Sequence, residues 1–411
     1  MKLIYLLPLF LILTACPPVP TQYSALSMET VEVVPTQYES RPPKRYDASL
    51  YYPDTNHLDH MPLRQVQVNF HFMNTEDTLY RYNGEEGVQY AKQLVSYANQ
   101  DLHKNSKNTL MPINVDVPVL PSRYYLRLVD KPGTKEPAVY FHYDDEEYEY
   151  IFSGKNRNIG ERGLLTKYGV DVDNTLNIFV MAPPRDSLNS KTFKAEALTG
   201  VFLGKFIKVA GFHPRHRHAW EHRGNINHEV GHALGLHHGW LANDGCDDTR
   251  KHTNKCWSKD QSARCDTMTS NNIMDYSALQ NAWTPCQIGR IHARFGDLKS
   301  KQRGWLTPLW CKPSKHDTIT ISETIVWDGA RDLNSSVIIK PGGRLRINAR
   351  THFARTTKII VEPGGMLELG PRAWLHNACE QSWNGIETGS RGRESGAVIV
   401  EEGAKIENVD S

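Results

Sequence analysis

The spacing of hydrophobic residues predicts both strands and helices in the first half of the chain. Residues 66–70, Val-Gln-Val-Asn-Phe, alternate apolar and polar side chains, as a half-buried strand does. Between Glu85 and Leu102 the apolar residues recur at helical spacing. Further strands are predicted at residues 124–129, 138–143 and 176–181. A strand, a helix and more strands together predict an α+β unit with a mixed sheet.

The pattern becomes repetitive after about Lys315. Residues 337–345, Val-Ile-Ile-Lys-Pro-Gly-Gly-Arg-Leu, recur 22 residues later as residues 359–367 and more loosely as residues 398–406, around Gly403. A repeated strand-turn unit predicts a β-solenoid, because each coil can bury its apolar face only against its neighbour. A small β-sandwich is the alternative. The last copy has no obvious polar cap, so we expect a partner or a longer natural chain to cover it.

The first residues have the character of an export sequence. An apolar run from Leu3 to Leu13 follows Met1 and Lys2, and it is too short to span a bilayer. It ends in Leu-Thr-Ala-Cys16, which resembles a bacterial lipobox, so residues 1–15 are predicted to be a signal peptide and Cys16 to be acylated. A plain secretory signal cut near Ala15 is the alternative. Residues 16–60 are rich in Pro, Ser, Thr and Tyr and are predicted to be a tether.

Composition and charge narrow the class of protein. The chain has 411 residues, which suggests two or three domains, and its 39% hydrophobic and 23% charged residues exclude wholesale disorder and a multi-span membrane protein. A formal net charge of +2 is low for a protein that binds nucleic acid through its phosphates. We therefore expect no nucleic acid partner.

The cysteine count agrees with export. Besides Cys16 the chain has an even number of cysteines, which in an exported protein predicts a set of disulfides. Intracellular zinc ligands are the alternative, but no two of these cysteines are spaced as CxxC. The six residues are Cys246, Cys256, Cys265, Cys286, Cys311 and Cys379.

The segment that indicates chemistry is His228-Glu229-Val230-Gly231-His232, followed by Gly235 and His238. On a helix His228 and His232 project from one face and can share a metal ion at about 2.0 to 2.1 Å. Gly235 allows the backbone to leave the helix with positive φ, which would bring His238 round as a third nitrogen ligand. Glu229 would lie beside the metal without binding it. Chance rarely produces all of these residues at fixed offsets.

A second motif follows about 36 residues later, Asn271-Asn272-Ile273-Met274-Asp275-Tyr276. It resembles the Met-turn beneath the zinc ion of metzincin metallopeptidases. Together with the extended histidine motif and the segment Cys246-Asp247-Asp248-Thr249, it resembles the pappalysin family over residues 225–292.

The pappalysin resemblance implies a zinc endopeptidase domain with a twisted mixed sheet, a backing helix, an active-site helix and a Met-turn. It implies zinc bound by His228, His232 and His238, with Glu229 as the general base. Met274 would lie beneath the metal and Tyr276 near the substrate oxyanion. It also implies disulfides between Cys246 and Cys265 and between Cys256 and Cys286. The start of the next helix departs from the family pattern: Thr284 and Pro285 predict the helix N-terminus, so Cys286 falls within its first turn.

Other polar clusters have simpler interpretations. His213, His216, His218 and His222 are more simply a hydrated loop beside the cleft than a second metal site. Some relatives carry calcium, for which Asp247, Asp248 and Asp266 could supply oxygen ligands; capping and turn formation are the alternative.

The sequence excludes an inactive form in which a prosegment cysteine binds the zinc ion as a thiolate, since no cysteine occurs between Cys16 and Cys246. The enzyme would then be either competent once zinc is bound or masked by an oxygen ligand such as Asp47 or Asp54.

These observations predict an exported bacterial lipoprotein, membrane-anchored at the periplasmic or cell-surface side, that hydrolyses protein or peptide substrates. The predicted division is signal peptide 1–15, lipidated tether 16–60, zinc peptidase domain 61–314 and β-solenoid 315–411. The alternatives are a non-catalytic surface binding or adhesion lipoprotein and a zinc amidase acting on cell wall.

Overall fold

The computed structural model describes residues 19–27, 31, 33–35, 47–74, 81–112, 114–144, 147–195, 197–212, 218–251, 270–276, 279–314 and 317–410. The predicted signal peptide and Cys16 lie outside this range, as do Cys256 and Cys265. None of the helices in the described part combines the length and the apolar character needed to cross a bilayer. The described residues form a mixed α/β structure with several sheets.

Two short strands, β1 (Gln22–Ala25) and β2 (Val33–Val34), precede the first large sheet. That sheet has the order β4-β3-β6-β8-β7, with β5 also paired to β3, and only β7 runs antiparallel to its neighbour. The strands predicted from alternation and apolar runs are confirmed. The sheet consists of β3 (Arg64–Asn74), β4 (Tyr124–Leu128), β5 (Val139–Tyr143), β6 (Leu176–Val180), β7 (Thr199–Phe202) and β8 (Phe206–Ala210).

The helices are α1 (Gly84–Lys104), α2 (Gly163–Tyr168), α3 (Ala219–Ala233), α4 (Pro285–Gly296) and α5 (Lys301–Gly304). The helix predicted over residues 85–102 is confirmed as α1. Its apolar face is buried, including Ala91, Leu94 and Ala98, and it shares one core with the large sheet, α3 and α4. The side-chain amide of Asn227 in α3 donates to the carbonyl of Ala98, 3.1 Å away, which ties α3 to α1.

The chain after α5 forms three further sheets, in which strands one repeat apart lie side by side and parallel. Apolar residues from all three sheets point into a common core. The strands are β9 (Thr318–Ile321), β10 (Thr324–Trp327), β11 (Arg331–Leu333), β12 (Ser336–Ile339), β13 (Arg344–Ile347), β14 (Arg350–Phe353), β15 (Ile359–Val361), β16 (Met366–Leu369), β17 (Trp374–His376), β18 (Ile386–Arg391), β19 (Glu394–Ser395), β20 (Ala397–Glu401) and β21 (Lys405–Ile406).

The register of these sheets confirms the first repeat and corrects the third. Val337 pairs with Ile359, as the 22-residue repeat predicts. The third copy, however, begins at Ile386, which pairs with Ile359, whereas Val398 pairs with Leu367 in the second half of the unit. The prediction that a new copy begins at residue 398 is wrong, because the segment between β18 and β20 is longer than the corresponding turn in the earlier copies and shifts the pattern along the chain.

Residues predicted to be tether are in part built into these sheets, so that prediction is wrong for them. Strand β1 pairs antiparallel with β18, and β2 pairs parallel with β20. Both therefore cover edges of the last repeat, where backbone groups would otherwise be unpaired. We expected a partner or a longer natural chain to cover this end. In the sheets that contain β18 and β20, strands β1 and β2 of the same chain cover it instead.

A segment that we call the linking segment, residues 47–61, joins the two halves of the structure. Its first turn packs on α4, and Pro53 forms a bridge with Ala330 next to β11. Two further connections cross the same junction: a disulfide between Cys311 and Cys379, and a buried ion pair between Arg64 of β3 and Asp332 of β11. The predicted division at residue 314 stays a prediction.

Candidate metal centre

Helix α3 presents the two histidines of the motif on one face. The helix begins after His218, whose backbone N–H donates to Glu221 Oε2 at 2.8 Å, a contact that stabilises the first turn. Four residues separate His228 and His232, so their rings lie one turn apart, with centroids 4.8 Å from each other.

A tight turn after α3 brings His238 to the same place. Gly235 has φ of 89°, which ends the helix as predicted, and the N–H of Leu236 donates to the carbonyl of Gly231 at 3.0 Å. His238 Nε2 then lies 3.0 Å from His232 Nε2. Each of the three histidines offers one ring nitrogen within 4.8 Å of the others.

Backbone carbonyls orient two of these rings. His228 Nδ1 lies 2.7 Å from the carbonyl of Ile273, and His232 Nδ1 lies 2.9 Å from that of Leu236, so both Nδ1–H groups donate and leave Nε2 with a free lone pair. Metal-binding histidines commonly have this arrangement. Burial lowers the pKa of all three imidazoles, that of His238 to about 3, which keeps them neutral, the form that binds metal. The donor set therefore fits a zinc ion.

Glu229 lies next to this cluster without belonging to it. Only 4% of the residue is exposed, and Oε2 has no hydrogen-bond partner among the described residues. Burial raises the pKa of this carboxyl group to about 8. A buried carboxyl group with an unpaired oxygen is costly for stability, and such groups cluster at functional sites.

Gly200 of β7 makes room for Glu229. A Cβ atom at this position would lie 2.6 Å from Glu229 Cδ, closer than real contacts allow. The edge strand of the large sheet therefore passes directly against the carboxyl group, which it can do only with glycine.

We expect the substitution Gly200→Ala to lower kcat/KM by about 10²-fold, because the new methyl group must displace the Glu229 side chain from its position. Zinc content should not change, since no candidate ligand is touched. Gly160→Ala is the matched control, because its Cβ would meet no atom within 4 Å. Unchanged peptidase activity in Gly200→Ala would show that the position of Glu229 is not critical.

The predicted Met-turn packs beneath the helix. Met274 is fully buried, and a Cβ atom at Gly231 would lie 2.4 Å from its sulfur, so glycine permits this close approach. Asn272 Oδ1 accepts from the N–H of Met274 at 2.9 Å and shapes the turn. The same turn supplies the Ile273 carbonyl that orients His228.

Tyr276 follows the turn and reaches the histidine cluster. Its hydroxyl lies 3.2 Å from His238 Nε2. Burial raises the pKa of this phenol to about 12, so it keeps its proton and can donate a hydrogen bond. The ring of Trp240 stacks on His238 with centroids 4.1 Å apart, and its centroid lies 4.5 Å from that of Tyr276.

The disulfide pairing implied by the family resemblance is wrong for Cys246 and Cys286, which are bonded to each other. Asp248 explains the change, since its carboxylate accepts from Thr284 Oγ1 at 2.7 Å and from the N–H of Cys286 at 2.9 Å. Asp248 thus caps the start of α4 and brings residue 246 to the first helical turn, where Cys286 lies.

Peptide mapping of the unreduced protein should find Cys246 linked to Cys286. Replacing both by Ala should lower the free energy of unfolding by about 2 to 5 kcal/mol, because the bond closes a long loop in the unfolded chain. A link between Cys246 and Cys265 would contradict this pairing.

The other predicted ligand clusters do not form metal sites among the described residues. Calcium is not supported: Asp248 is engaged as a helix cap, and Asp266 lies outside the described residues. His222 is fully buried in α3, where its ring stacks on Phe212, so the interpretation as a hydrated loop is wrong for it. His213 and His216 lie outside the described residues, and His218 is exposed.

The aspartates considered as masking ligands are engaged elsewhere. Asp47 Oδ1 accepts from the N–H of Ser49 at 3.0 Å and caps the first turn of the linking segment. Asp54 pairs with the buried guanidinium of Arg331. Masking of the metal by either residue is therefore not supported.

Three residues of the site were not predicted from the sequence, namely Gly200, Trp240 and Gln280. Gln280 Nε2 donates to the carbonyl of Asp275 at 2.8 Å and thereby supports the turn that carries Tyr276. Each of these residues makes its contact only in the folded protein. None of them stands at a fixed spacing from the histidines that would mark it in the sequence.

Comparison with known proteins supports the family resemblance. Residues 202–295 match the peptidase family model described as pregnancy-associated plasma protein-A. No curated protein matches the chain significantly.

Among solved structures, the chain is similar to mirolysin in complex with a compound, with 16% sequence identity and a TM-score of 0.38, over 59% of this chain and 96% of that one. It is also similar to mature mirolysin of Tannerella forsythia in complex with a cleaved peptide, with 17% identity and a TM-score of 0.37, over 59% of this chain and 95% of that one. The family match over residues 202–295 confirms the resemblance inferred from the sequence motifs and supports a metallopeptidase.

Proposed function

We propose that this protein is a zinc-dependent endopeptidase. The observation that carries the proposal is the convergence of three neutral imidazoles with a buried glutamate that binds none of them. His228, His232 and His238 would hold the zinc ion. Three protein ligands leave one position open, as in catalytic rather than purely structural zinc sites.

Zinc in this position would act as a Lewis acid on a water molecule and on the carbonyl group of the scissile peptide bond. Glu229 would accept a proton from the attacking water as the water adds to the carbonyl carbon, and would then pass that proton to the nitrogen of the leaving amine. Tyr276, whose phenol keeps its proton, would donate a hydrogen bond to the oxygen that becomes negatively charged.

Strand β7 offers a place for an extended substrate. It is the last strand of the large sheet, and among the described residues it pairs only with β8, which leaves its other edge for backbone hydrogen bonds. A peptide that adds there as a further strand would pass Gly200 and hence Glu229. This arrangement favours hydrolysis within a chain rather than at its end.

The alternatives are a non-catalytic adhesion protein and a zinc amidase acting on cell wall. Adhesion gives no reason for a buried carboxyl group with an unpaired oxygen beside three histidines. The amidase would use the same side chains on a different amide.

The test is to incubate the purified mature protein with a denatured protein and, separately, with peptidoglycan, each with and without a chelator. We expect new amino termini from the denatured protein alone, and only without chelator. Hydrolysis of peptidoglycan instead would indicate the amidase, and no hydrolysis of either would favour the adhesion protein.

We infer that residues 315–411 form a β-solenoid. Support comes from the parallel pairing of strands one repeat apart in three sheets and from the common apolar core between them. In this arrangement β1 and β2 act as a cap on the last coil.

We also infer that the protein is exported and anchored to a membrane through acylated Cys16. The support is the lipobox-like end of the apolar run at the N-terminus. The substitution Cys16→Ser should move the protein from the membrane fraction to the soluble fraction, because acyl chains supply the membrane affinity. If the variant still sediments with membranes after a salt wash, the anchor is not the lipid.

A further inference from the structure

Three potential metal ligands converge in the linking segment, away from the cluster on α3. They are His57, Asp59 and His60, and each offers one ligand atom within 4.8 Å of the others. They form the sequence His-Leu-Asp-His, in a part of the chain whose composition suggested only a tether.

A short 3₁₀ turn creates this convergence. Leu58–His60 form the turn, in which the N–H of His60 donates to the carbonyl of His57 at 3.0 Å. Side chains three residues apart lie above one another in such a turn. The rings of His57 and His60 accordingly stack, with centroids 5.0 Å apart and planes 10° from parallel.

Side chains from other elements hold the turn in place. The guanidinium of Arg123 donates to the carbonyl of Leu58 at 2.8 Å and, through Nε, to that of Met61 at 3.0 Å. The ring of His60 lies edge-on to Trp327 of β10, with centroids 5.8 Å apart. Because the backbone and one ring are fixed before any ion binds, little conformational entropy would be lost on binding.

The ligand atoms are not satisfied within the described part of the chain. His60 Nδ1 is buried without a hydrogen-bond partner, and His60 Nε2 lies 3.7 Å from Asp59 Oδ2, beyond hydrogen-bond distance. The side chain of Asp59 is 80% exposed and free to approach an ion.

The neighbouring charges are of both signs, because Arg123 and Arg331 lie close enough to interact electrostatically with Asp59. Asp54 forms an ion pair with Arg331, so these two charges compensate each other. The carboxylate of Asp59 has no such partner in the described structure beyond His60 and would attract a divalent ion.

We propose that His57, Asp59 and His60 form a second metal site, for a divalent transition metal ion such as Zn²⁺. Two imidazoles and one carboxylate suit Zn²⁺ and its first-row neighbours rather than Ca²⁺ or Mg²⁺, which prefer oxygen ligands alone. The site lies where the linking segment meets the C-terminal sheets, since the N–H of Ala330 donates to the carbonyl of Tyr52 at 2.8 Å. A bound ion would stabilise the contact between the linking segment and the C-terminal sheets.

The test uses the double variant His57→Ala/Asp59→Asn of the full-length mature protein, with His103→Ala, an exposed histidine of α1, as control. After metal removal, each protein is titrated with Zn²⁺ and its melting temperature is followed. The parent and the control should bind one more equivalent of Zn²⁺ than the double variant, and the variant's affinity at this site should fall at least about tenfold. The single variant Asp59→Asn, at an exposed position, should show the same weakening even if the double variant folds poorly.

Equal zinc binding and equal thermal stabilisation in the parent and in Asp59→Asn would overturn the proposal. The test compares the zinc binding of parent and variant, and both proteins keep the histidines of α3. The result therefore does not depend on whether those histidines bind zinc. Peptidase activity should be the same in parent and variant, which separates a failure of this site from a failure of the proposed function.

Discussion

The substitution Glu229→Gln is expected to lower peptidase activity by at least about 10²-fold while zinc stays bound. It removes the group proposed to accept the proton of the attacking water, and general-base catalysis contributes about 10² to 10⁴-fold. It removes none of the three histidines proposed to bind the metal. The measurement is kcat/KM on a denatured protein, together with the zinc content of the same sample.

The same variant should be no less stable than the parent. Glu229 is buried and has an unpaired oxygen, and burial raises its pKa to about 8. This uncompensated carboxyl group lowers the free energy of unfolding of the parent. Loss of activity with retained or increased melting temperature would separate a catalytic role from a structural one. Glu161→Gln, at an exposed position, is the control. Residual activity above about a hundredth of the parent's would contradict the assigned role.

The substitution Asp332→Asn should have the largest effect on stability, about 3 to 5 kcal/mol. The carboxylate of Asp332 is 3% exposed and lies 2.5 Å from Arg64 Nη2 and 3.0 Å from Arg350 Nη2. Burial alone would raise its pKa, but the two guanidinium groups outweigh this effect and hold the pKa well below the usual range. Asparagine at this position would leave two buried positive charges without a counter-ion.

Urea unfolding followed by tryptophan fluorescence should detect this loss, because the ring of Trp310 lies 3.4 Å from the guanidinium carbon of Arg64. Since the folded-state pKa of Asp332 is depressed, its stabilisation is present above the usual aspartate pKa and is lost as the pH falls through the folded-state value. Asp328→Asn, at an exposed position, is the control and should change the free energy of unfolding by less than about 0.5 kcal/mol. An equal effect of the two substitutions would show that the buried pairs do not hold the junction.

Sequence periodicity predicted the elements whose apolar faces are long. Helix α1 and strands β3 to β6 were predicted within a few residues, because each buries a regular stripe in the same core. The histidines were predicted because a helix and one glycine fix their relative positions locally.

The elements that the sequence did not predict depend on partners distant in the chain. Strands β1 and β2 are two to four residues long and exposed, and only the open edges of β18 and β20 give them a place. The Cys246–Cys286 bond depends on Asp248 capping α4, a contact across 38 residues. Gly200 is one of 29 glycines, and its role appears only where β7 passes Glu229.

We expect His228, His232 and His238 to hold the zinc ion on which peptide hydrolysis depends. To test this, all metal is removed from the purified protein, and hydrolysis of a denatured protein is measured while zinc is returned in steps, in the parent and in His238→Ala. Activity should be absent without metal, return in the parent as zinc is added, and stay absent in His238→Ala. Full activity in the metal-free parent, or normal recovery in His238→Ala, would contradict this expectation.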